Sequence, residues 1–483
     1  MARSIRLLAL WMLTTPAWGR ELTLEEALEH VSRNRDLQTA ERREEAARAS
    51  SGVAHAAFDP TFVASTRVSG TDASGFVAGY PMDSHSTTTT STVGLRGSTS
   101  TGTSWEIGAD LGRDATTTVS SLGGVESEQV RKTWNGLVDL TVSQDVLAPF
   151  RQSSSAIAAR QADERIDTAA LASRGAEQDA LVAIASAWWS WSSSVRLAEN
   201  ADRAVSEAES LEARTRVQHE EGLVARLEVS RVAAERLAAE REAQTAWTDA
   251  RSLADQLLLV MGEAPGQDIE PGGTGEIAGG DLELAASLER ALAANPTVLS
   301  ARAEVEIAEN ALRDGRRAGL PTLTASGSLG MASLSDTAME ALTDLAADGL
   351  PRWAVGLDLS VPIGGRAARG TRDGAQADLD IAQLALASAE ETVRAQVRAA
   401  VDAVGTARSG VELATARLEV TRETEAGEAA RVEEGASRLD DLITARNARL
   451  KAESDLVDAE AQRARAELDL LRLEGRLGGR DAV

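Results

Sequence analysis

The chain has 483 residues, a formal net charge of −25, 39 glycines, 10 prolines, no cysteine and only 3 % aromatic residues. That length allows more than one domain, while the missing cysteine excludes disulfides, thiolate metal sites and a lipid carried on an N-terminal cysteine. The acidity argues against a nucleic-acid partner and suits a surface that is soluble or attracts cations.

Residues 1–19, "MARSIRLLALWMLTTPAWG", place Arg3 and Arg6 before an apolar run and end on small residues. That is the layout of a secretory signal peptide, and the run is too short to span a bilayer as a helix. Its removal would take two arginines and leave a mature charge of −27, starting from −25. No later stretch reaches the 18 or so apolar residues of a transmembrane helix.

A short helix capped by Thr23 with an acidic first turn is predicted next, then a helix to about His55. A strand region follows over about 58–145, with Trp105, Ile107, Ala109 and Leu111 alternating against Ser104, Glu106, Gly108 and Asp110. "GLVDLTVSQ" sets Val138, Leu140 and Val142 against Asp139, Thr141 and Ser143 in the same way. Such alternation fits a transmembrane barrel strand, with lipid on one side and water on the other. A half-buried strand of a soluble sandwich alternates identically. The signal peptide and the polar Ser/Thr/Gly stretches at 71–91, 112–133 and 331–351, expected to be loops, favour the barrel. A helical hairpin is predicted over 151–262, turning at "EEGLVARLE". Glycine costs a helix about 1 kcal/mol against alanine, so Gly222 marks the turn.

The plan then repeats. "LTLEEALEHVSRN" (22–34) returns as "LELAASLERALAAN" (282–295), and Asn34 and Pro60 return as Asn295 and Pro321. Gly222, Glu228, Glu240 and Gly262 return as Gly435, Asp441, Glu453 and Gly475, each 213 positions on. The first copy covers 20–262, the second 282–478, and the glycine-rich residues 263–281 read as a linker. In the second copy the strands are expected over about 321–362, where Leu323, Ala325, Gly327 and Leu329 share one face, as do Val355, Leu357, Leu359 and Val361. Its helical hairpin, 366–478, carries Val397, Val404, Val411 and Leu418 seven apart, offset by Val393, Ala400, Ala407 and Ala414. Together they form an a/d seam. Unbroken, 366–432 would be about 100 Å long, and an ordinary dimeric coiled coil would show the same length.

These pieces resemble the TolC family of outer-membrane efflux channels. The resemblance is carried by "LTLEEALEHVSRNRDL" and its second copy, by "LPTLTASGSLG", by "VGLDLSVPIGGRAARGTRDGAQADLDIAQ", and by the Gly-x5-acid turns at 222–228 and 435–441. It covers almost all of the chain beyond the signal peptide. It implies an α+β membrane protein: a TolC-like homotrimer whose shared transmembrane β-barrel continues into a long periplasmic α-helical coiled-coil tunnel, built from two internal repeats. The implied function is a passive exit channel of a tripartite efflux pump or a type I secretion system. Its implied partners are a periplasmic adaptor (membrane fusion) protein, an inner-membrane pump and outer-membrane lipid; no cofactor is implied. The family pattern gives four strands per protomer and twelve in the trimer; an extra alternating pair here, at about 92–98 and 103–111, either makes six per protomer or is an inserted hairpin, and the family pattern favours twelve.

The resemblance also assigns sites. Gly222 and Gly435 would stand at the periplasmic tips, with Leu223, Val224, Arg226, Ser437 and Arg438 as adaptor contacts. Asp441 would line the constriction that closes the tunnel, Asp440 would add a neighbouring charge where the family's second acid is here Thr444, and Glu228 would flank it. Asp441 also reads as a plain helix cap, a compatible role. An enzyme is disfavoured because His30, His55, His85 and His219 fall in unlike contexts, with no metal-spaced pair and no phosphate-cradling loop. A secreted coiled-coil scaffold without a barrel is the alternative.

Overall fold

In the computed structural model the described residues are 19–77, 80–122, 125–148, 153–273, 283–434 and 436–477. All but the last residue of the expected signal peptide (1–19), part of the expected linker and Gly435 therefore lie outside them. The chain forms two compact units, residues 1–44, 169–302 and 385–483, and residues 45–168 and 303–384. Each unit draws on both sequence copies.

The first unit is mostly helical. It begins with β1 (Arg20–Thr23) and α1 (Leu24–Glu29), where the Thr23 hydroxyl accepts from the Glu26 backbone and the Glu26 carboxylate answers to the Thr23 N–H, a complete capping box. β1 pairs in parallel with β6 (Ile269–Gly272), so the expected linker contains a strand. The helix α2 (Arg35–His55) ends where the sequence placed it. Two long hairpins follow, α3 (Ser154–Glu220) with α4 (Arg226–Val260), and α8 (Arg366–Glu433) with α9 (Leu439–Leu473). Between them stand α5 (Leu284–Ala294) and α6 (Pro296–Arg317).

Burial in the first unit follows the heptads. Val393, Val397, Val404 and Leu418 are buried, Val404 completely, and Ala400, Ala407, Val411 and Ala414 are half-buried on the same stripe. A second core gathers Trp188, Trp189 and Trp191 with Leu22, Leu257 and Met261, and the Trp188 indole N–H donates to the Leu22 carbonyl at 3.0 Å. Two contacts recur between the copies. Asn34 donates to the Val260 carbonyl at 2.9 Å, and Asn295 donates to the Leu473 carbonyl at 3.1 Å. Each asparagine also accepts from the first turn of the helix it opens, at the N–H of Asp36 or of Thr297.

The second unit carries an antiparallel six-stranded sheet in the order β2-β3-β4-β5-β7-β8. Its strands are β2 (Thr61–Val77), β3 (Tyr80–Ser98), β4 (Thr103–Leu122), β5 (Val125–Asp145), β7 (Thr322–Ser335) and β8 (Leu350–Ser360). This corrects two expectations. The chain carries six strands in this sheet rather than four, because the extra pair forms the facing ends of β3 and β4. The polar stretches 71–91 and 112–133 are strand for almost their whole length. They fail to alternate apolar with polar, yet they are rich in threonine, which favours extended backbone. The third expected loop, 331–351, contains the helix α7 (Ala338–Ala347).

The register puts every predicted apolar series on one face. Ile107 lies opposite Leu140 and Leu140 opposite Leu329; Trp105 meets Val142, Val142 meets Gly327 and Gly327 meets Val355. These side chains stay in contact with the surroundings, Leu357 being 71 % exposed. The opposite face carries Arg96, Glu106, Thr141 and Ser328 in one row. The alternating apolar series lie within roughly nine positions of the strand ends at Thr61, Ser98, Thr103, Asp145, Thr322 and Ser360, about the length that crosses a bilayer as tilted strand. Beyond that band β2–β5 continue with mostly polar side chains, interrupted by the exposed Phe76, Val119, Val125 and Val130. The part of β5 past its pairing with β7 carries Glu126, Glu128, Arg131 and Lys132, charges that discourage edge-to-edge association. No helix among the described residues is long and apolar enough to cross a membrane.

Candidate channel tip

The turn from α3 to α4 is built by its glycine. Gly222 has φ 78°, a conformation strained for any residue with a Cβ. Its N–H reaches the His219 carbonyl (2.9 Å) and the Leu223 N–H reaches Gln218 (2.8 Å), the paired bonds of a Schellman cap. The His219 ring donates from Nδ1 to the Val224 carbonyl at 2.8 Å and holds the following loop. At the other hairpin the Ala436 N–H reaches the Arg431 carbonyl at 2.7 Å, the counterpart of the Leu223 bond 213 positions on. Leu223 is 70 % exposed, Arg226 and Arg438 are exposed, and Val224 and Ser437 are half-buried.

The three acids expected at a constriction separate into two groups. The Arg231 guanidinium lies 3.5 Å from Glu228 and 3.4 Å from Asp440, so it gathers one acid from each hairpin. Asp441 is absent from that group. Its carboxylate accepts from the Arg438 backbone N–H at 3.2 Å and lies 3.1 Å from the Ser437 hydroxyl. The capping role is therefore real. Ser437 also reaches Glu428 at 2.6 Å, and Glu428 pairs with Arg431 at 2.7 Å. The Thr444 hydroxyl is bound to the Asp440 carbonyl (2.8 Å) within its own helix. Sequence reasoning missed the contacts made by Arg231 and Glu428, and it offered His219 only as a histidine without a metal-spaced partner. Only the Glu228–Arg231 spacing of three hinted at the first, since its other partner is 209 positions away.

Below the tip, Leu211, Val232 and Ile443 pack α3, α4 and α9 together. One helical stage further, Glu207 accepts from Arg446 (2.9 Å) and Arg449 (2.7 Å). Arg449 also binds Glu425 and Glu453. Burial lowers the Arg446 pKa, whereas at Arg449 burial is outweighed by the Glu207, Glu425 and Glu453 carboxylates and the pKa is raised. Both guanidinium groups remain charged in the pH range of life. They lock α3, α8 and α9 in register. A groove of about 620 Å³ opens between α3, α4 and α9, floored by Ala201, Ala204, Ala208, Ala238 and Ala239.

Among the described residues, Ser51, Asp163 and His55 form an arrangement that invites a hydrolytic reading. The Ser51 hydroxyl donates to Asp163 at 2.6 Å, and His55 Nε2 lies 3.2 Å from the same carboxylate. The acid thus stands between serine and histidine. In a nucleophilic triad the histidine must stand between them to take the serine proton, and here the Ser51 bond holds the Asp163 pKa down instead.

Comparison with known proteins agrees with this geometry. Residues 287–476 match the family model of the outer membrane efflux protein, a family of efflux proteins rather than enzymes. Among solved structures, the Neisseria gonorrhoeae MtrE outer membrane channel in its open state superposes with a TM-score of 0.68 at 17 % identity, covering 95 % of this chain and 90 % of that one. The Campylobacter jejuni CmeC outer membrane channel gives 0.65 at 16 %, covering 94 % and 85 %. The outer membrane protein VceC of Vibrio cholerae gives 0.64 at 14 %, covering 94 % and 96 %. No match was found among curated proteins. Residues 287–476 thus match the outer membrane efflux protein family by sequence, and the chain shares the fold of these outer membrane channels along nearly its whole length.

Proposed function

We propose that the protein is the outer-membrane exit channel of a tripartite efflux pump or a type I secretion system, passing substrates from a periplasmic adaptor and an inner-membrane pump to the exterior. The observation that carries this reading is the six-stranded sheet, apolar on one face across a bilayer-sized band, with β2 and β8 left as unpaired edges. Open edges are not stable in lipid. Three copies joined β8 to β2 remove them and make a barrel of eighteen strands, three times six. A coiled-coil scaffold has no use for such a face.

The remaining parts take their places in that assembly. The recurrence of the Asn34 and Asn295 contacts and of the tip caps supports two structural repeats within each protomer. Leu223, Val224, Arg226, Ser437 and Arg438 form the surface offered to the adaptor around Gly222 and Gly435. Three sets of Glu228, Asp440 and Asp441 supply the negative charge of the closed end, with Arg231 tying the two hairpins of each protomer. Purified protein in mild detergent should have the mass of a trimer and form ion-conducting pores in planar bilayers. A stable monomer that forms no pores overturns the channel reading in favour of the scaffold.

A further inference from the structure

The helix α7 sits where the apolar band of the sheet ends, and its packing shows which way it faces. The Ser333 hydroxyl donates to the Ala341 carbonyl at 2.5 Å, and Ala341 is fully buried. Ser333 lies opposite Gly136, whose missing side chain leaves room for Ala341 and Leu345; a Cβ there would come within 3.2 Å of the Ala341 carbonyl. Gly136 and Ser333 continue the rows of Val138 and Met331, on the apolar face. The helix therefore lies on the outside of the sheet, one row past the band.

Its two remaining edges differ in chemistry. Glu340, Asp344 and Asp348 recur every four residues along one edge. Asp344 accepts from Ser335 at 2.6 Å, on the side of Ser333 away from Met331. The opposite edge carries Met339, Leu342 and Ala346, and Met339 is 71 % exposed. The acidic edge thus points away from the apolar band and the apolar edge points along it. We propose that α7 is an interfacial helix, lying in the plane of the lipid surface with Met339 and Leu342 inserted among acyl chains beside the barrel and its acids among the headgroups. Continuity with the apolar face names lipid as the occupant, and the inference rests on the channel reading given above. The helix would enlarge the lipid contact of each protomer and set the depth at which the barrel rides.

The chain has no cysteine, so single-cysteine variants report cleanly. Met339→Cys, Leu342→Cys, Glu340→Cys and Leu357→Cys are each labelled with an environment-sensitive fluorophore and reconstituted in phosphatidylcholine vesicles. Some vesicles carry a nitroxide midway along the acyl chain. Labels at 339 and 342 should shift to shorter wavelength and be quenched as strongly as the label at 357, while the label at 340 keeps most of its emission. Quenching at 357 alone leaves the barrel in lipid and overturns the interfacial helix. A blue shift at 339 and 342 without quenching places them against protein, as at a neighbouring protomer, and also overturns it. Absence of quenching at every position, 357 included, overturns the channel reading together with the helix.

Discussion

The observed capping role of Asp441 and its proposed constriction role differ in what they require. As a cap it needs an acceptor oxygen for the Arg438 N–H; as part of a constriction it needs charge. Asp441→Ala should fray the start of α9 at a cost of about 1 kcal/mol, read as faster amide exchange over 439–442. Asp441→Asn keeps an acceptor oxygen and removes the charge, so it should leave α9 in place. Three carboxylates crowded in a narrow mouth focus the field more than dispersed surface acids, so both variants should weaken the block of single-channel current by a trivalent cation added from the periplasmic side. Glu433, exposed on α8, should matter less. Equal block of the wild type and Asp441→Asn would leave Asp441 as a cap alone. A second residue should contribute to the response to acid. Burial pushes the Glu474 carboxyl up, but hydrogen bonds from Arg290 and Ser287 outweigh it and its pKa is lowered. Its contribution is therefore complete above about pH 4.3, the ordinary glutamate value, and is lost as the pH falls through the depressed one. Glu474, 2 % exposed, meets Arg290 at 2.7 Å and joins α5 to the end of α9. Glu474→Gln should lower stability at neutral pH by about 1–3 kcal/mol, and should flatten the acid limb of stability against pH. An unchanged acid limb would mean other carboxylates control it.

Elements differ in how plainly the sequence shows them, and the difference has a physical cause. The α8 seam was legible because one stripe of a long helix is buried against a partner and the rest is wet, which imposes a period of seven. The halves of the strands nearest Thr61, Ser98, Thr103 and Asp145 were legible because an apolar and a polar face alternate there across a pleated sheet. Beyond the band polar residues occupy most positions of both faces, alternation fades, and residues 71–91 and 112–133 read as loops although the hydrogen-bond ladder continues. The helix α7 did leave a trace, since Thr337 caps it at the Glu340 N–H three residues on. The tips were legible as turns, through Gly222, but the Arg231 tie joins elements distant in sequence. Exposed tip side chains contribute little to the fold, which frees them for binding. Leu223→Glu or Arg438→Glu should therefore preserve the trimer and the pore while weakening cross-linking to the adaptor, by roughly tenfold if about 1.4 kcal/mol of contact is lost. Unchanged cross-linking and transport in both variants would make the tips passive loops.

At the scale of the molecule, the closing of the sheet separates a channel from a scaffold. In an isolated protomer β2 has one partner, β3. Backbone N–H groups along such a strand point alternately toward that partner and away from it. A proline at an outward-pointing position therefore leaves a true edge strand almost undisturbed. In a closed barrel the same N–H bonds the neighbouring protomer's β8, and proline deletes a bond in lipid that nothing replaces. Ser65→Pro and Thr66→Pro test this as a pair, because one of two adjacent residues must point outward; both positions are exposed in the protomer. Both variants should lose the trimer in mild detergent and the conductance with it, although one of them spares every bond within its own sheet. If either assembles and conducts like the wild type, β2 is a free edge and the shared barrel is wrong.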